Sequence, residues 1–300
     1  MDFSAFVSFC EDEKIEYKQQ EPMRFYTSFK IGGPARVMVF PENEEELIKT
    51  LKKINLLNLP IFILGKGSNL LVSDEGIERI VINLSNLSEI SMVDGKIKAG
   101  AGASLAAVCN KALSEDLTGL EFAFGIPGGV GGALFMNAGA YGGEMAQVVE
   151  RAEYITLNGE KGSIEKEDMM LGYRTSIFKK SDMIITSVTF KLSKGNRAEI
   201  KAAMEDYMSR RKAKQPLEYP SAGSTFKRPE GYFAGALIEK NNLKGKKIGG
   251  AMVSEKHAGF VINYDNATAE DVKKLMEFVA DTVFNADGVK LEPEVIFIGE

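Results

Sequence analysis

Between residues 35 and 65 the spacing of apolar positions changes twice. ARVMVF (35–40) is apolar and β-branched, NEEELIKTLKKIN (43–55) has helical spacing with acids in its first turn, and PIFILG (60–65) is a short buried-type run. Strand, helix and strand in that order predict one βαβ crossover and a parallel strand pair. The pattern then changes. RIVINL (79–84), ISMVDGKIKAG (90–100) and AEYITLNGEKGSI (152–164) read as strands and hairpins, with turns at Asp94-Gly95 and Asn158-Gly159. SLAAVCNKALSED (104–116) is a helix among them, and NRAEIKAAMEDYMSRRKAKQ (196–215) a long polar-faced helix that marks a lobe boundary. Beyond it come a short helix near 233–242, a strand AMVSEKHAGFVINY (251–264), a helix TAEDVKKLMEFVADTVF (268–284) capped by Thr268, and a closing strand PEVIFIG (293–299). These elements imply an α+β protein of two or three lobes.

Glycine is distributed unevenly. Of 30 glycines, eight fall in GIPGGVGGALFMNAGAYGG (125–143). Glycine is costly to order, so this density needs a close approach of backbone to something. Two further clusters follow strands, Gly65-Lys66-Gly67-Ser68-Asn69 and Gly100-Ala101-Gly102. Both suggest a dinucleotide fingerprint, but Leu70 and Leu105 stand where its third glycine belongs. Gly67 leads to a turn at Asp74-Glu75-Gly76 and another strand, so no helix N-terminus faces a phosphate there. No GxxxxGK[ST] P-loop occurs either. Successive backbone N–H groups still form anion-binding nests without a helix. Gly65–Asn69 and Gly125–Gly132 are the candidates for gripping a diphosphate, whereas GAGASL reads as a tight turn.

Composition narrows the class further. A net charge of −5 argues against a nucleic-acid partner. Two cysteines cannot form a disulfide framework; Cys10 and Cys109 both sit on apolar helix faces and read as buried thiols. The N-terminus carries acids where a signal peptide has bases, and no apolar run approaches membrane-spanning length, so a cytoplasmic protein without membrane association is expected. No cluster of Cys, His and acids has metal-ligand spacing, and no metal is expected.

Six motifs in order, YTSFKIGGPA (26–35), GKGSNLLVSD (65–74), IPGGVGGALFMNAGAYGGE (126–144), YRTSIFK (173–179), AGSTFKRP (222–229) and LEPEV (291–295), resemble the UDP-N-acetylenolpyruvoylglucosamine reductase (MurB) family. The resemblance runs from about residue 22 to the C-terminus. It implies a two-lobed FAD-binding region of the vanillyl-alcohol-oxidase/PCMH type at 1–198 (lobes about 1–87 and 88–198). A smaller α+β substrate lobe at 199–292 and a C-terminal strand, 293–300, carrying Glu294 would follow. The chain resembles the shorter class of the family: the tyrosine-bearing loop insertion of the longer class is missing, since residues 190–216 pass directly into a plain helix.

Carried onto this sequence, the resemblance implies noncovalent FAD, with NADPH as reductant and a UDP-sugar as substrate, in a monomer of peptidoglycan precursor synthesis. The FAD diphosphate would lie against Gly65, Lys66, Gly67, Ser68, Asn69 and Leu70, and against Ile126, Pro127, Gly128, Gly129 and Gly132. Asn137, Ala138, Gly139, Ala140 and Tyr141 would follow the ribityl chain and ring system, with Thr27 and Ser28 nearby. Reduction of an enolpyruvyl ether develops charge on a substrate carbon and carboxylate, which must be stabilised and then protonated. Arg174 matches the family arginine, whose planar fork suits a carboxylate. Glu294 matches the glutamate beside it, an electrostatic partner or proton source, while Glu292 is set aside as a decoy. Ser224 matches the family proton donor; no activating triad surrounds it, since the single histidine, His257, lies in SEKHAGF. Tyr173, Lys214 and Arg228 are candidate UDP-sugar contacts, with Lys256 or His257 as further lining. The rival readings are a covalent-flavin oxidase, disfavoured because His257 is remote from the glycine clusters, and a non-catalytic nucleotide-binding regulator.

Overall fold

Two buried apolar clusters organise the computed structural model, which describes residues 2–299, and each falls within one of two compact units. Unit 1 comprises residues 1–19, 37–66 and 79–211; unit 2 comprises 20–36, 67–78 and 212–300. Unit boundaries fall inside the strands Tyr17–Pro22, Pro34–Val39 and Ile77–Asn83.

Unit 1 opens with α1 (Ser4–Glu13), which buries Phe6 and Cys10, and continues with α2 (Glu44–Leu56). The Asn43 side chain accepts from the Glu46 N–H at 3.0 Å, and Glu44, Glu45 and Glu46 favour the positive end of the helix dipole. Leu47, Leu51 and Ile54, spaced three and four apart, face the core. The strands on either side of α2 are Pro34–Val39 and Ile61–Leu64, as the pattern predicts, but they are not neighbours. Ile77–Asn83 lies between them and pairs in parallel with Ile61–Leu64, in register Ile61 with Ile80. A later strand with every position from Ile80 to Asn83 buried takes the central place.

The second sheet of unit 1 has the order Lys161–Glu165, Val149–Thr156, Met183–Phe190, Lys96–Gly100, Ile90–Val93, all antiparallel. Its two predicted hairpins are present. Asp94 and Gly95 have φ of 49° and 76°, the doubly left-handed turn that matches strand twist, and Gly159 has φ of 85°. Three helices surround it: α3 (Leu105–Ser114), capped by the Ser104 hydroxyl, α4 (Val130–Phe135) and α5 (Met145–Val148). The long helix α6 (Arg197–Lys214) follows.

In unit 2, α7 (Ala234–Lys240) and α8 (Ala269–Asp287) share a core with a small antiparallel sheet of Lys247–Ile248, Ala251–Val253 and Val261–Asn263. The predicted single strand 251–264 is broken: Ser254–Phe260 forms a loop, with the Ser254 N–H bonded to the Phe260 carbonyl at 2.9 Å. Gly259 and Ala258 interrupt the alternation that a continuous strand needs. The C-terminal strand Ile296–Ile298 pairs in parallel with Leu70–Val72. Among the described residues no helix is long and apolar enough to cross a membrane.

Thr268 and Asp271 form a reciprocal capping box at the start of α8. Asp74 adds a second cap: both its carboxylate oxygens accept from the Ala269 N–H at 2.9 Å, and Oδ2 also accepts from the Glu270 N–H at 3.3 Å. Asp74→Ala should therefore lower stability by about 1 kcal/mol, a loss typical of a cap. Urea titration of the apo-protein checks this, and an unchanged midpoint would mean that the capping box alone suffices.

A candidate cofactor and active site

The glycine clusters of unit 1 are knitted together by backbone. Leu105 N–H donates to the Gly128 carbonyl at 3.1 Å, Val130 N–H to Ala103 at 2.9 Å and Gly131 N–H to Ala101 at 2.9 Å. GAGAS is the expected tight turn, closed by Ala103 N–H to Gly100 at 3.0 Å, and it also scaffolds the 128–131 segment. Many of the glycines are required by protein rather than by ligand. A Cβ at Gly131 would lie 2.8 Å from the Ala101 Cβ, one at Gly129 would lie 3.0 Å from the Ala101 oxygen, and one at Gly100 or Gly102 would collide with the Leu87 or Leu84 carbonyl. Gly65 and Gly132 differ: a Cβ there would meet nothing within 4 Å. Bare backbone at the end of Ile61–Leu64 and along α4 is the arrangement that admits a flat, phosphate-bearing cofactor. The residues present fit FAD.

Residues 137–145 fold back as a hairpin, with Gly139 opposite Glu144 and Ala140 opposite Gly143. Asn137 and Tyr141 take positive φ, 43° and 54°. The Tyr141 ring stacks on Tyr207 of α6, centroids 4.7 Å apart and 2° from parallel. One turn further along α6, Arg211 is half-buried, its Cδ 3.2 Å from where a Gly125 Cβ would stand. From sequence this segment is a polar-faced helix with Lys214 as its candidate substrate contact, and neither Tyr207 nor Arg211 is singled out. The signal was available, since Ile200, Met204, Tyr207 and Arg211 form one stripe at spacings of three and four.

Arg174 sits in unit 1 at the tip of a two-residue turn. Gly172 and Thr175 exchange N–H to carbonyl bonds of 3.1 and 3.2 Å, leaving Tyr173 and Arg174 outermost. Arg174 has φ of 53°, and its guanidinium lies 5.3 Å from the Tyr173 ring centroid.

Ser224 and Glu294 belong to unit 2, on two segments joined by backbone pairing. Glu294 N–H donates to the Thr225 carbonyl at 2.9 Å, Lys227 N–H donates to Glu292 at 2.8 Å, and Phe226 stands opposite Pro293. The Thr225 hydroxyl is buried and accepts from the Val261 N–H at 2.8 Å, so Ser224, one residue away, is turned to solvent. Asn69 of the GKGSN loop joins this pair: its Nδ2–H donates to the Glu294 carbonyl at 3.0 Å, and its own carbonyl accepts from the Ile296 N–H at 2.9 Å. Glu294 is half-buried, whereas Glu292 is exposed and paired with Lys227 at 3.1 Å. The preceding residues of the loop are held by the YTS motif. A Cβ at Gly67 would collide with the Tyr26 carbonyl, and Ser28 N–H donates to the Gly67 carbonyl at 3.1 Å. The Ser28 hydroxyl donates to Ser221 at 2.7 Å, and the Thr27 hydroxyl, 6% exposed, donates to the Ile31 carbonyl at 2.9 Å. Thr27 and Ser28 thus support the GKGSN loop from beneath.

Of the residues expected to meet the UDP-sugar, Tyr173 is 56% exposed on the Arg174 turn of unit 1. Lys214 and Arg228 are exposed in unit 2, with the Arg228 guanidinium 4.0 Å from the Phe233 centroid. Burial holds the His257 imidazole below its ordinary pKa, the Lys244 and Lys214 ammonium groups act in the same direction, and Nδ1 accepts from the Gly259 N–H at 3.1 Å. Cys10 and Cys109 are buried, which pushes each thiol up to about 12, far from a reactive thiolate.

Comparison with known proteins adds to this geometry. Residues 35–162 match the family described as FAD binding domain, and residues 215–298 match the C-terminal domain of UDP-N-acetylenolpyruvoylglucosamine reductase. The chain is 51% identical over 280 residues to the UDP-N-acetylenolpyruvoylglucosamine reductase of Caldanaerobacter subterraneus subsp. tengcongensis, covering 93% of each chain. It is 47% identical to that of Geobacillus kaustophilus, covering 99% of this chain and 97% of the relative. The crystal structure of the Thermus caldophilus reductase superposes with a TM-score of 0.81 at 35% identity, over 95% of this chain and 99% of that one.

Proposed function

The chain belongs to the UDP-N-acetylenolpyruvoylglucosamine reductase family, an oxidoreductase with an FAD-binding domain, and we propose that it reduces UDP-N-acetylglucosamine enolpyruvate to UDP-N-acetylmuramate with NADPH. Noncovalent FAD would carry hydride from NADPH to the distal carbon of the enolpyruvyl alkene. The residues to hold it are Gly65–Leu70, 126–132 and the 137–141 backbone. Tyr173, Lys214 and Arg228 would bind the UDP-sugar, in a cytoplasmic monomer.

The observation that carries the chemistry is the pairing of Glu294 N–H with the Thr225 carbonyl at 2.9 Å, which joins the segment bearing the exposed Ser224 to the segment bearing the half-buried Glu294. After hydride addition, negative charge resides on the adjacent carbon and its carboxylate. Arg174 offers two parallel N–H donors to that carboxylate. The Glu294 carboxyl, when protonated, donates a hydrogen bond to the enolate. Ser224 then transfers its hydroxyl proton to carbon and regains one from solvent. A serine is a weak acid, adequate only because the carbon is strongly basic.

The purified protein should be yellow, with one FAD per chain that acid precipitation leaves in the supernatant. NADPH should bleach it anaerobically, and the enolpyruvyl substrate should restore the colour. Colour retained in the pellet would favour a covalent oxidase, and a colourless protein that ignores added FAD would sink the reading.

A further inference from the structure

Asn137 lies in the stretch proposed to follow the cofactor, yet its side chain is spent on protein. It is 1% exposed; Nδ2–H donates to the Gly172 carbonyl at 3.0 Å and Oδ1 accepts from the Ala146 N–H at 2.9 Å. We propose that Asn137 is a positioning residue for Arg174, holding the 172–175 turn from which the guanidinium reaches the substrate carboxylate. This rests on the function proposed above for Arg174.

The turn needs such support. Gly172 and Thr175 form an isolated bridge, so no sheet carries it, and Arg174 at its tip is in the left-handed region that non-glycine residues avoid. Three side-chain bonds hold it: Asn137 to Gly172, the Ser176 hydroxyl to the Phe135 carbonyl at 2.7 Å, and Lys179 Nζ to the Arg174 carbonyl at 2.7 Å. Two of them end at Phe135, the last residue of α4, and at Asn137, two residues beyond it; α4 is the helix that bears Gly132. The Gly172 carbonyl accepts from both Thr175 and Asn137, which uses its two lone pairs. Asparagine suits position 137 doubly, because it tolerates φ of 43° and supplies donor and acceptor at once. Aspartate would keep the φ and the Ala146 contact but would aim a carboxylate oxygen at the Gly172 carbonyl. Repulsion would then release the turn, and the long arginine side chain would magnify the tilt.

The test is a double-mutant cycle on the holoenzyme, read by stopped-flow. Asn137→Asp should slow substrate-driven reoxidation of the flavin by on the order of tenfold to a hundredfold, as expected for a displaced group. FAD should stay bound and reduction by NADPH should stay near the wild-type rate, whereas the melting transition should fall, because a carboxylate is buried against a carbonyl. In an Arg174→Ala background, already slow, Asn137→Asp should cost less than about threefold more, because coupled residues are not additive. Losses that multiply in the double variant overturn the proposal, as does loss of FAD, or an equal fall in both half-reactions. Arg174→Ala reoxidising at the wild-type rate would instead overturn the reading of Arg174 and take this one with it. If Asn137→Asp does not fold, Asn137→Gly, which permits the same φ without the repulsion, carries the same cycle and is judged by the same outcomes.

Discussion

Ser224→Ala should reduce its flavin with NADPH at a normal rate and then stall, with reoxidation by the enolpyruvyl substrate slower by about a thousandfold, the middle of the range for general acid catalysis. The two half-reactions separate because only the second needs a proton at carbon. The substitution is structurally mild: Ser224 is exposed, and the neighbouring anchor is the Thr225 hydroxyl, which is buried and bonded to Val261. A folding defect would therefore not mimic the result. Ser224→Cys restores a proton at the same place and should recover part of the rate. Arg174→Lys should also fail in the second half, since an ammonium keeps the charge but loses the fork. Reoxidation of Ser224→Ala at the wild-type rate would reduce Ser224 to a turn residue after Gly223, whose φ is 80°.

Gly132→Val should abolish tight flavin binding while leaving a folded protein. A Cβ at Gly132 meets no protein atom within 4 Å, its φ is not in the left-handed region, and it lies in α4, where replacing glycine costs the helix nothing. Any loss of FAD is then a clash with the ligand. A forced overlap of about 3 kcal/mol corresponds to roughly a hundredfold in affinity. Gly129 is a poorer probe, because a side chain there strikes the Ala101 carbonyl and the Lys66 stem before any cofactor. Gly95→Val serves as control: its hairpin φ of 76° should make it less stable, yet flavin affinity should hold. Equal flavin loss at Gly95 and Gly132 would show that folding, not the cradle, is being measured.

Local rules were readable along the chain where the cause is local. The Asp94-Gly95 hairpin, the Thr268 cap and the buried faces of Cys10 and Cys109 each follow from a few adjacent residues, and each is present. What escaped depends on distant partners. Nothing near Ile77–Asn83 announces that it will separate the strands flanking α2, and Asp74 gives no hint that it caps a helix beginning at Ala269. Glycine density does not by itself report a ligand: Gly131 accommodates Ala101 and Gly143 accommodates Phe122. Only coordinates sort these from Gly65 and Gly132. The assignment of roles to Arg174, Ser224 and Glu294 rests on family resemblance, because a serine after a glycine or an arginine in a turn has no chemical signature of its own.

During synthesis, Leu70–Val72 leaves the ribosome long before its parallel partner Ile296–Ile298 exists. At ordinary elongation rates the wait is roughly ten to forty-five seconds. Unit 1 ends at Arg211, so its core can close on the nascent chain while residues 20–36 and 67–78, early in sequence but members of unit 2, stay idle. Pairings that close such long loops form slowly. Asn69 therefore meets the Glu294 carbonyl only after residue 294 has been made. Residues 294–298 act as a latch: a chain terminated before them lacks the strand that pairs with Leu70–Val72 and the carbonyl that meets Asn69.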